Sequence, residues 1–301
     1  MRLERTGFAL AVLANLLGGA TYFATKKALE GLPAVSISFV RTAIAVAILV
    51  PLAGRAPIRA LLAETGRARA ALWAMGIAGY ALPLTLGNLG VERSTATSGA
   101  LLIGTEPLCV VLLAALVLGE SLTRARVVAI ALGFAGATLI VSNGIPFVTV
   151  VEAPHLVGDL MLVAHGAAWS IWTIAGKRLL DRHSATAVSA VALAISLPPL
   201  AVASAVEPGV LGAGEALWTS LAWAVGLGAC VSALGTVVWN AALRRMDASQ
   251  LAAFIFLQPV MGVVLGFALL SERPTGWALA GGGLVFVGVF ALSSEGRRQA
   301  A

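Results

Sequence analysis

Apolar residues run through this chain in blocks of about twenty, broken by short segments that gather nearly all of the charge. A helix rising 1.5 Å per residue needs about 20 apolar residues to cross roughly 30 Å of hydrocarbon. The blocks therefore predict ten membrane-spanning helices, at 7–26, 33–53, 70–88, 96–118, 126–143, 158–176, 185–206, 217–241, 249–270 and 276–294. No connector is long enough to form a separate soluble domain. The expected fold is an all-α membrane protein.

Composition agrees with this reading. The 301 residues are 59% hydrophobic and 11% charged, more apolar surface than a soluble domain of that length can bury. A net charge of +6 raises the possibility of nucleic acid, but the basic residues sit singly or in pairs between apolar runs. They read as anchors at a lipid bilayer, with no nucleic-acid partner. Their placement sets direction. With the N-terminus inside, Arg2, Arg5, Arg55, Arg59, Arg67, Arg69, Arg124, Arg126, Lys177, Arg178, Arg182, Arg244, Arg245, Arg297 and Arg298 are cytoplasmic, against Lys26, Lys27, Arg93 and Arg273 outside. Both termini are then cytoplasmic, which requires an even number of spans. The first apolar block mimics a signal peptide, but it has a counterpart later in the chain and is read as span one. Trp73, Trp218 and Trp277 fall at span ends, where indole rings favour the interface. Cys109 and Cys230 are far apart inside apolar runs and imply packing rather than a disulfide or metal site.

The chain also resembles itself. A shift of 152 lays Glu106-Pro107 on Gln258-Pro259, Leu118-Gly119-Glu120 on Leu270-Ser271-Glu272, Asn88 on Asn240, Arg93 on Arg245 and Gly136 on Gly288. A shift of 151 lays Lys26-Lys27 on Lys177-Arg178. Five spans per half is an odd number, so the second half enters the membrane from the opposite side. The expected organisation is two inverted five-helix repeats, 1–147 and 148–301. Inverted repeats related by an axis in the membrane plane are typical of secondary transporters, whose substrate site lies near the midplane.

The repeated unit, with Glu106-Pro107, then Leu118-Gly119-Glu120-Ser121-Leu122-Thr123, then a glycine-bearing last helix, resembles the EamA repeat of the drug/metabolite transporter superfamily. The second copy departs from the motif by carrying Gln258 in place of the glutamate. The resemblance covers nearly the whole chain. It implies a transporter of the bacterial cell inner membrane, within a superfamily that exports amino acids, metabolites and drugs, and points most towards exporters of aromatic or neutral amino acids.

Several residues are candidates to contact a small-molecule substrate. Glu106 lies about ten residues into span four, roughly 15 Å deep at 1.5 Å per residue. A carboxylate there could bind a substrate ammonium or carry a proton; as a packing residue, it could satisfy backbone groups freed by Pro107. Pro107 and Pro259 should kink their helices, as paired hinges for alternating access or as static bends. His165, Trp169 and Trp172 form one helical stripe that could line an amphipathic cavity or serve ordinary packing. Span one offers Asn15, Gly18, Gly19 and Tyr22 at the corresponding place. Further lining candidates are Tyr80, Pro83, Ser98, Thr105, Trp239, Asn240, Phe254 and Gln258, with Trp239 also placed to join the interfacial belt. Arg41, about eight residues into span two, could snorkel, pair with a carboxylate or hold an anionic group, and a structural pairing is the favoured reading. Gly262-x-x-x-Gly266 and Gly281–Gly283 mark close helix contacts within a monomer or across a homodimer.

Other function classes find little support. An integral-membrane enzyme would gather His, Cys and carboxylates into clusters, and this chain has three His, two Cys and no HExxH or GxSxG pattern. There is no Walker A sequence and nothing like a selectivity filter. No cofactor or metal is expected.

Overall fold

The computed structural model describes residues 2–94, 102, 104–142, 156–208, 212–261, 264 and 275–299, and all regular structure among them is helical. In chain order the helices are α1 (Arg2–Gly19), α2 (Thr21–Ala28), α3 (Ala34–Ala53), α4 (Arg55–Leu62), α5 (Gly66–Gly76) and α6 (Leu82–Arg93). Then come α7 (Glu106–Leu113), α8 (Arg124–Ser142), α9 (Leu156–Leu180), α10 (Ala185–Ala205), α11 (Gly214–Gly226), α12 (Thr236–Leu243), α13 (Ala248–Ala253) and α14 (Gly276–Gln299). Five continuous helical stretches are long and apolar enough to cross a membrane: Thr6–Ala28, Ala34–Ala53, Gly66–Arg93, Ala185–Ala205 and Gly214–Leu243. Shorter apolar helices cover Glu106–Leu118, Ala248–Met261 and Leu279–Ala291.

Two of the long stretches are not simple α-helices. The chain widens into π turns at Ile77–Ala81 between α5 and α6, and at Leu227–Gly235 between α11 and α12. These positions correspond under the 152-residue shift. A π turn inserts a residue into the helical ladder and re-aims the side chains beside it. Here it presents Tyr80 in one half and Ser232 in the other, at the same register.

The packing obeys the same correspondence. Helix α9, which opens the second half, packs along α6, α5 and α7 of the first; α1, which opens the first half, packs along α12 and the turn at Phe254–Phe256. Helix α3 pairs with α10, α7 with α13, and α8 with α14. Each half thus lends its opening helix to the other. Buried amides brace the pairs symmetrically: Asn88 Nδ2 donates to Ser38 Oγ at 2.8 Å, and Asn240 Nδ2 to Ser189 Oγ at 2.9 Å. In an apolar interior these bonds satisfy the two amide nitrogens, which would be costly to bury unpaired.

The periphery is apolar. Leu116 is 81% exposed, Val206 74% and Phe290 68%. On α9 the exposed side chains Leu156, Val157, Leu160 and Val163 make one stripe, while Asp159, Leu162 and Trp172 are buried on the other. A bilayer covers such a belt; water would not. Trp73, Trp218 and Trp277 are all exposed, as indoles at an interface should be.

Helices α8 and α14 approach most closely through glycine. A Cβ added to Gly136 would stand 2.5 Å from the Gly281 carbonyl oxygen, and one on Gly281 would stand 2.5 Å from that of Gly136. Gly288 meets Ala129 O in the related pair. Gly282 and Gly283 meet nothing within 4 Å, so of the 281–283 run only Gly281 makes the contact; the 262–266 motif lies outside the described residues. Gly136→Val is expected to cost roughly 1–3 kcal/mol by overpacking, seen as a lower unfolding midpoint of the detergent-purified protein. Gly282→Ala should leave the midpoint unchanged. Equal midpoints for both variants would refute this packing.

Candidate substrate site

Span four and span nine are interrupted at matching places. In the first half, Thr105 N bonds Leu102 O at 3.0 Å in a tight turn, and a new helix, α7, begins at Glu106 with Pro107 in its first turn. In the second half a 3₁₀ turn at Phe254–Phe256 precedes Gln258-Pro259. Proline in mid-helix lacks a donor and clashes with the carbonyl four residues back, so the ladder tightens or breaks one turn before it. The two prolines thus follow a tight turn in one half and a 3₁₀ segment in the other. Thr105 serves this turn, its Oγ1 donating to Leu102 O at 2.6 Å.

The polar residue at each break meets a glycine of the other half's opening helix. A Cβ on Gly166 would lie 3.2 Å from Glu106, and one on Gly18 3.0 Å from Gln258 Nε2. The two then part company. Gln258 Nε2 donates to Asn15 Oδ1 at 3.1 Å, and Asn15 Nδ2 to Ala11 O at 2.8 Å. Glu106 is 4% exposed, and among the described residues its carboxylate makes no hydrogen bond or ion pair. The glutamine is tied into the helix packing; the glutamate is not.

Beside Glu106 runs a ladder of rings. His165 stacks on Trp169 with centroids 6.0 Å apart and planes at 14°, and Trp169 on Trp172 at 6.2 Å and 12°. Tyr80, carried by the first π turn, lies 5.6 Å from Trp169 and 5.5 Å from Trp172. His165 Nδ1 is 2.6 Å from Pro83 O. A carbonyl only accepts, so Nδ1 carries the proton in that bond. Offset rings at these spacings give a flat apolar surface suited to an aromatic or aliphatic side chain. Trp172 is 1% exposed, while Trp169 is only half-buried, so Trp169 offers the accessible face of the ladder.

The structure thus gathers Tyr80, Glu106, His165, Trp169 and Trp172, with Gln258 at the related position. It does not gather Phe254, which meets Phe8 edge-on at 5.0 Å within the core. Trp239 is buried rather than interfacial, and Asn240 is the brace to Ser189. Ser98 and the side chain of Tyr22 lie outside the described residues. Arg41 makes no ion pair among the described residues; its Nε donates instead to Ser232 Oγ at 2.9 Å, so the pairing favoured from sequence goes to a hydroxyl of the second π turn.

Residues 5–142 match the EamA-like transporter family, and residues 156–294 match it a second time. The chain belongs to the EamA-like transporter family. It is 30% identical to a probable terminal-alkyne amino-acid exporter of Streptantibioticus cattleyicolor, an alignment covering 100% of this chain and 98% of that one. A probable amino-acid metabolite efflux pump of Salmonella typhimurium is 23% identical over 70% of this chain and 74% of its own. A crystal structure of 20% identity superposes with a TM-score of 0.79 over 99% of both chains, and so shares the fold.

This EamA chain carries one polar cluster that its sequence did not single out as functional. The Glu120 carboxylate, at the end of the Leu118-Gly119-Glu120 motif, accepts from Ala248 N at 2.8 Å and Ser249 N at 3.0 Å, capping the first turn of α13. Arg126, 3% exposed, stands 3.7 Å from Glu120 and bonds Asp247 and Ser121 O. Lys177 Nζ donates to Leu243 O at 2.7 Å and Met246 O at 2.6 Å. Together they tie the ends of α8, α9, α12 and α13. Elsewhere Glu207 caps α3 alike, accepting from Val35 N at 2.7 Å and Ser36 N at 2.9 Å. The repeated motif gave the signal for Glu120, but a partner more than a hundred residues away is invisible without the fold.

Proposed function

We propose that this EamA protein is a secondary transporter that exports aromatic or neutral amino acids across the bacterial inner membrane by alternating access. Its ten spans form two inverted halves, 1–147 and 148–301, with both termini in the cytoplasm. The matching interruptions before Pro107 and Pro259 act as the hinges, since breaks in the ladder leave few hydrogen bonds to resist bending. Packing that survives exchange of the halves supports this reading, because it lets each half adopt the other's arrangement.

The observation that carries the proposal is Glu106, buried without a partner among the described residues, beside the His165–Trp169–Trp172 ladder and Tyr80. A carboxylate in hydrocarbon is costly unless something neutralises it, and a substrate ammonium does so. The ladder takes the apolar side chain. The names of the two relatives, an amino-acid exporter and an amino-acid metabolite efflux pump, support the same cargo class.

Counterflow with purified protein in proteoliposomes tests it. Vesicles loaded with unlabelled phenylalanine or leucine should accumulate the labelled amino acid with saturation, and each amino acid should compete with the other. Absence of flux for every neutral amino acid, alongside robust flux of amphiphilic drugs, would replace this cargo class by a multidrug one.

A further inference from the structure

We infer that Arg41 is the anion-binding pole of this site, so that the cargo must carry a carboxylate. The inference rests on the transport reading above and adds to it a specificity-determining residue and a chemical requirement.

Arg41 carries a charge that meets no counter-charge among the described residues. Arg41 sits in the middle of α3 and is 3% exposed. A guanidinium keeps its proton in proteins and offers five donors in a planar fork. One donor, Nε, reaches Ser232 Oγ. Nη1 is buried and has no partner among the described residues. No carboxylate pairs with the group there. An arginine retained to pin two helices together would have its charge met and its fork filled, because an uncompensated buried charge costs several kcal/mol. Here the hydroxyl of Ser232 orients the fork without neutralising it.

Its surroundings point the same way. Asn88 bonds Ala34 O and Ser38 while Ser38 reaches Leu84 O, so α3 and α6 run antiparallel and Tyr80, one turn from Leu84, comes level with Arg41, one turn from Ser38. Tyr80 Oη is itself buried without a partner among the described residues. Tyr80 and Ser232 occupy the two π turns at equivalent register, and Arg41 bonds the second of these turns directly. Such turns recur at functional sites. Two unfilled donors, Arg41 Nη1 and Tyr80 Oη, then await an acceptor with more than one oxygen. A carboxylate matches the fork, and bidentate pairing is what guanidinium geometry favours.

The acid at the other pole completes the chemistry. Glu106 abuts Gly166, the neighbour of His165, and His165 Nδ1 bonds Pro83 O one turn from Tyr80, so the acid borders the same α9 ladder. A negative pole, a positive pole and an aromatic wall make the complement of an α-amino acid zwitterion. An amphiphilic amine would leave Arg41 unanswered.

The test is competition against labelled phenylalanine counterflow in proteoliposomes, using phenylalaninamide, phenethylamine and the phosphonate analogue of phenylalanine. Wild-type protein should prefer phenylalanine to the amide and the amine by roughly 30-fold or more, the ratio expected when a desolvated charge loses its partner. Arg41→Met should weaken phenylalanine by a similar factor and abolish the preference over the amide, while Arg41→Lys should restore part of it. Wild-type counterflow alone decides the matter if Arg41→Met does not fold. Equal competition by amide, amine and amino acid overturns the inference and leaves the transporter standing. A phosphonate that outcompetes phenylalanine overturns the assignment to a carboxylate. Absence of counterflow with any compound overturns the transport reading, and this inference with it.

Discussion

Glu106→Gln is expected to lower kcat/KM for amino-acid counterflow on the order of 100-fold while shifting stability by less than about 1 kcal/mol. Losing a charge-assisted bond to an ammonium in a dry site costs roughly 2–5 kcal/mol, and each 1.4 kcal/mol is tenfold. The protein itself supplies the control for folding. Gln258 occupies the equivalent place before Pro259, against a glycine of the opposite opening helix, so a glutamine side chain fits this setting. Glu106 makes no hydrogen bond among the described residues that the change would break. A purely structural Glu106 predicts the reverse pattern, with transport retained and the unfolding midpoint moved. Measuring both quantities on one preparation separates the two roles.

Glu120→Ala should destabilise the protein by about 3–5 kcal/mol, the largest effect of any single change outside the substrate site. Two separate losses combine. The α13 amides of Ala248 and Ser249, with the Ser249 hydroxyl, lose their acceptor, at about 1–3 kcal/mol for a buried unsatisfied group. Arg126 then keeps Ser121 O and, as its one carboxylate among the described residues, Asp247, which is 46% exposed and so a weak ionic partner. Glu120→Gln retains one acceptor oxygen and should fall between. Asp247→Ala should do less than Glu120→Ala, because the remaining carboxylate is much the less exposed of the two. Thermal unfolding of the detergent-purified variants checks this order, and Asp247→Ala proving the more harmful would show that the buried contact is secondary.

Much of this architecture could be read from the amino acids. The expected spans at 33–53 and 185–206 become α3 (Ala34–Ala53) and α10 (Ala185–Ala205), because unbroken apolar runs of bilayer length leave the backbone no other way to satisfy itself. The match of Asn88 with Asn240 became a pair of equivalent braces. What the pattern could not give was local. The π turns arise from contacts between helices, and nothing in Ile77–Ala81 differs in composition from an ordinary apolar helix. Helix α4 (Arg55–Leu62) fell in a stretch read only as a connector. Glu106 could be placed in depth, but its lack of a partner among the described residues could not be read, nor could the tie of Gln258 to Asn15, 243 residues away. For Arg41 the depth was legible, but its partner Ser232, 191 residues away, was not. One signal was available, since Ser232 is the 152-residue counterpart of Tyr80.

Exchange of the opening helices between halves has a consequence for biosynthesis. Helix α1 leaves the ribosome well before α12, against which it packs and which begins at Thr236, about 220 residues later. At roughly 5–20 residues per second that interval is on the order of 10–40 s. Throughout it α1 resides in lipid or in the insertion machinery with the amide of Asn15 bonded to its own helix at Ala11 O rather than to Gln258. The first half of the chain therefore has no finished form of its own, and a nascent chain arrested near residue 147 should be degraded rather than accumulate.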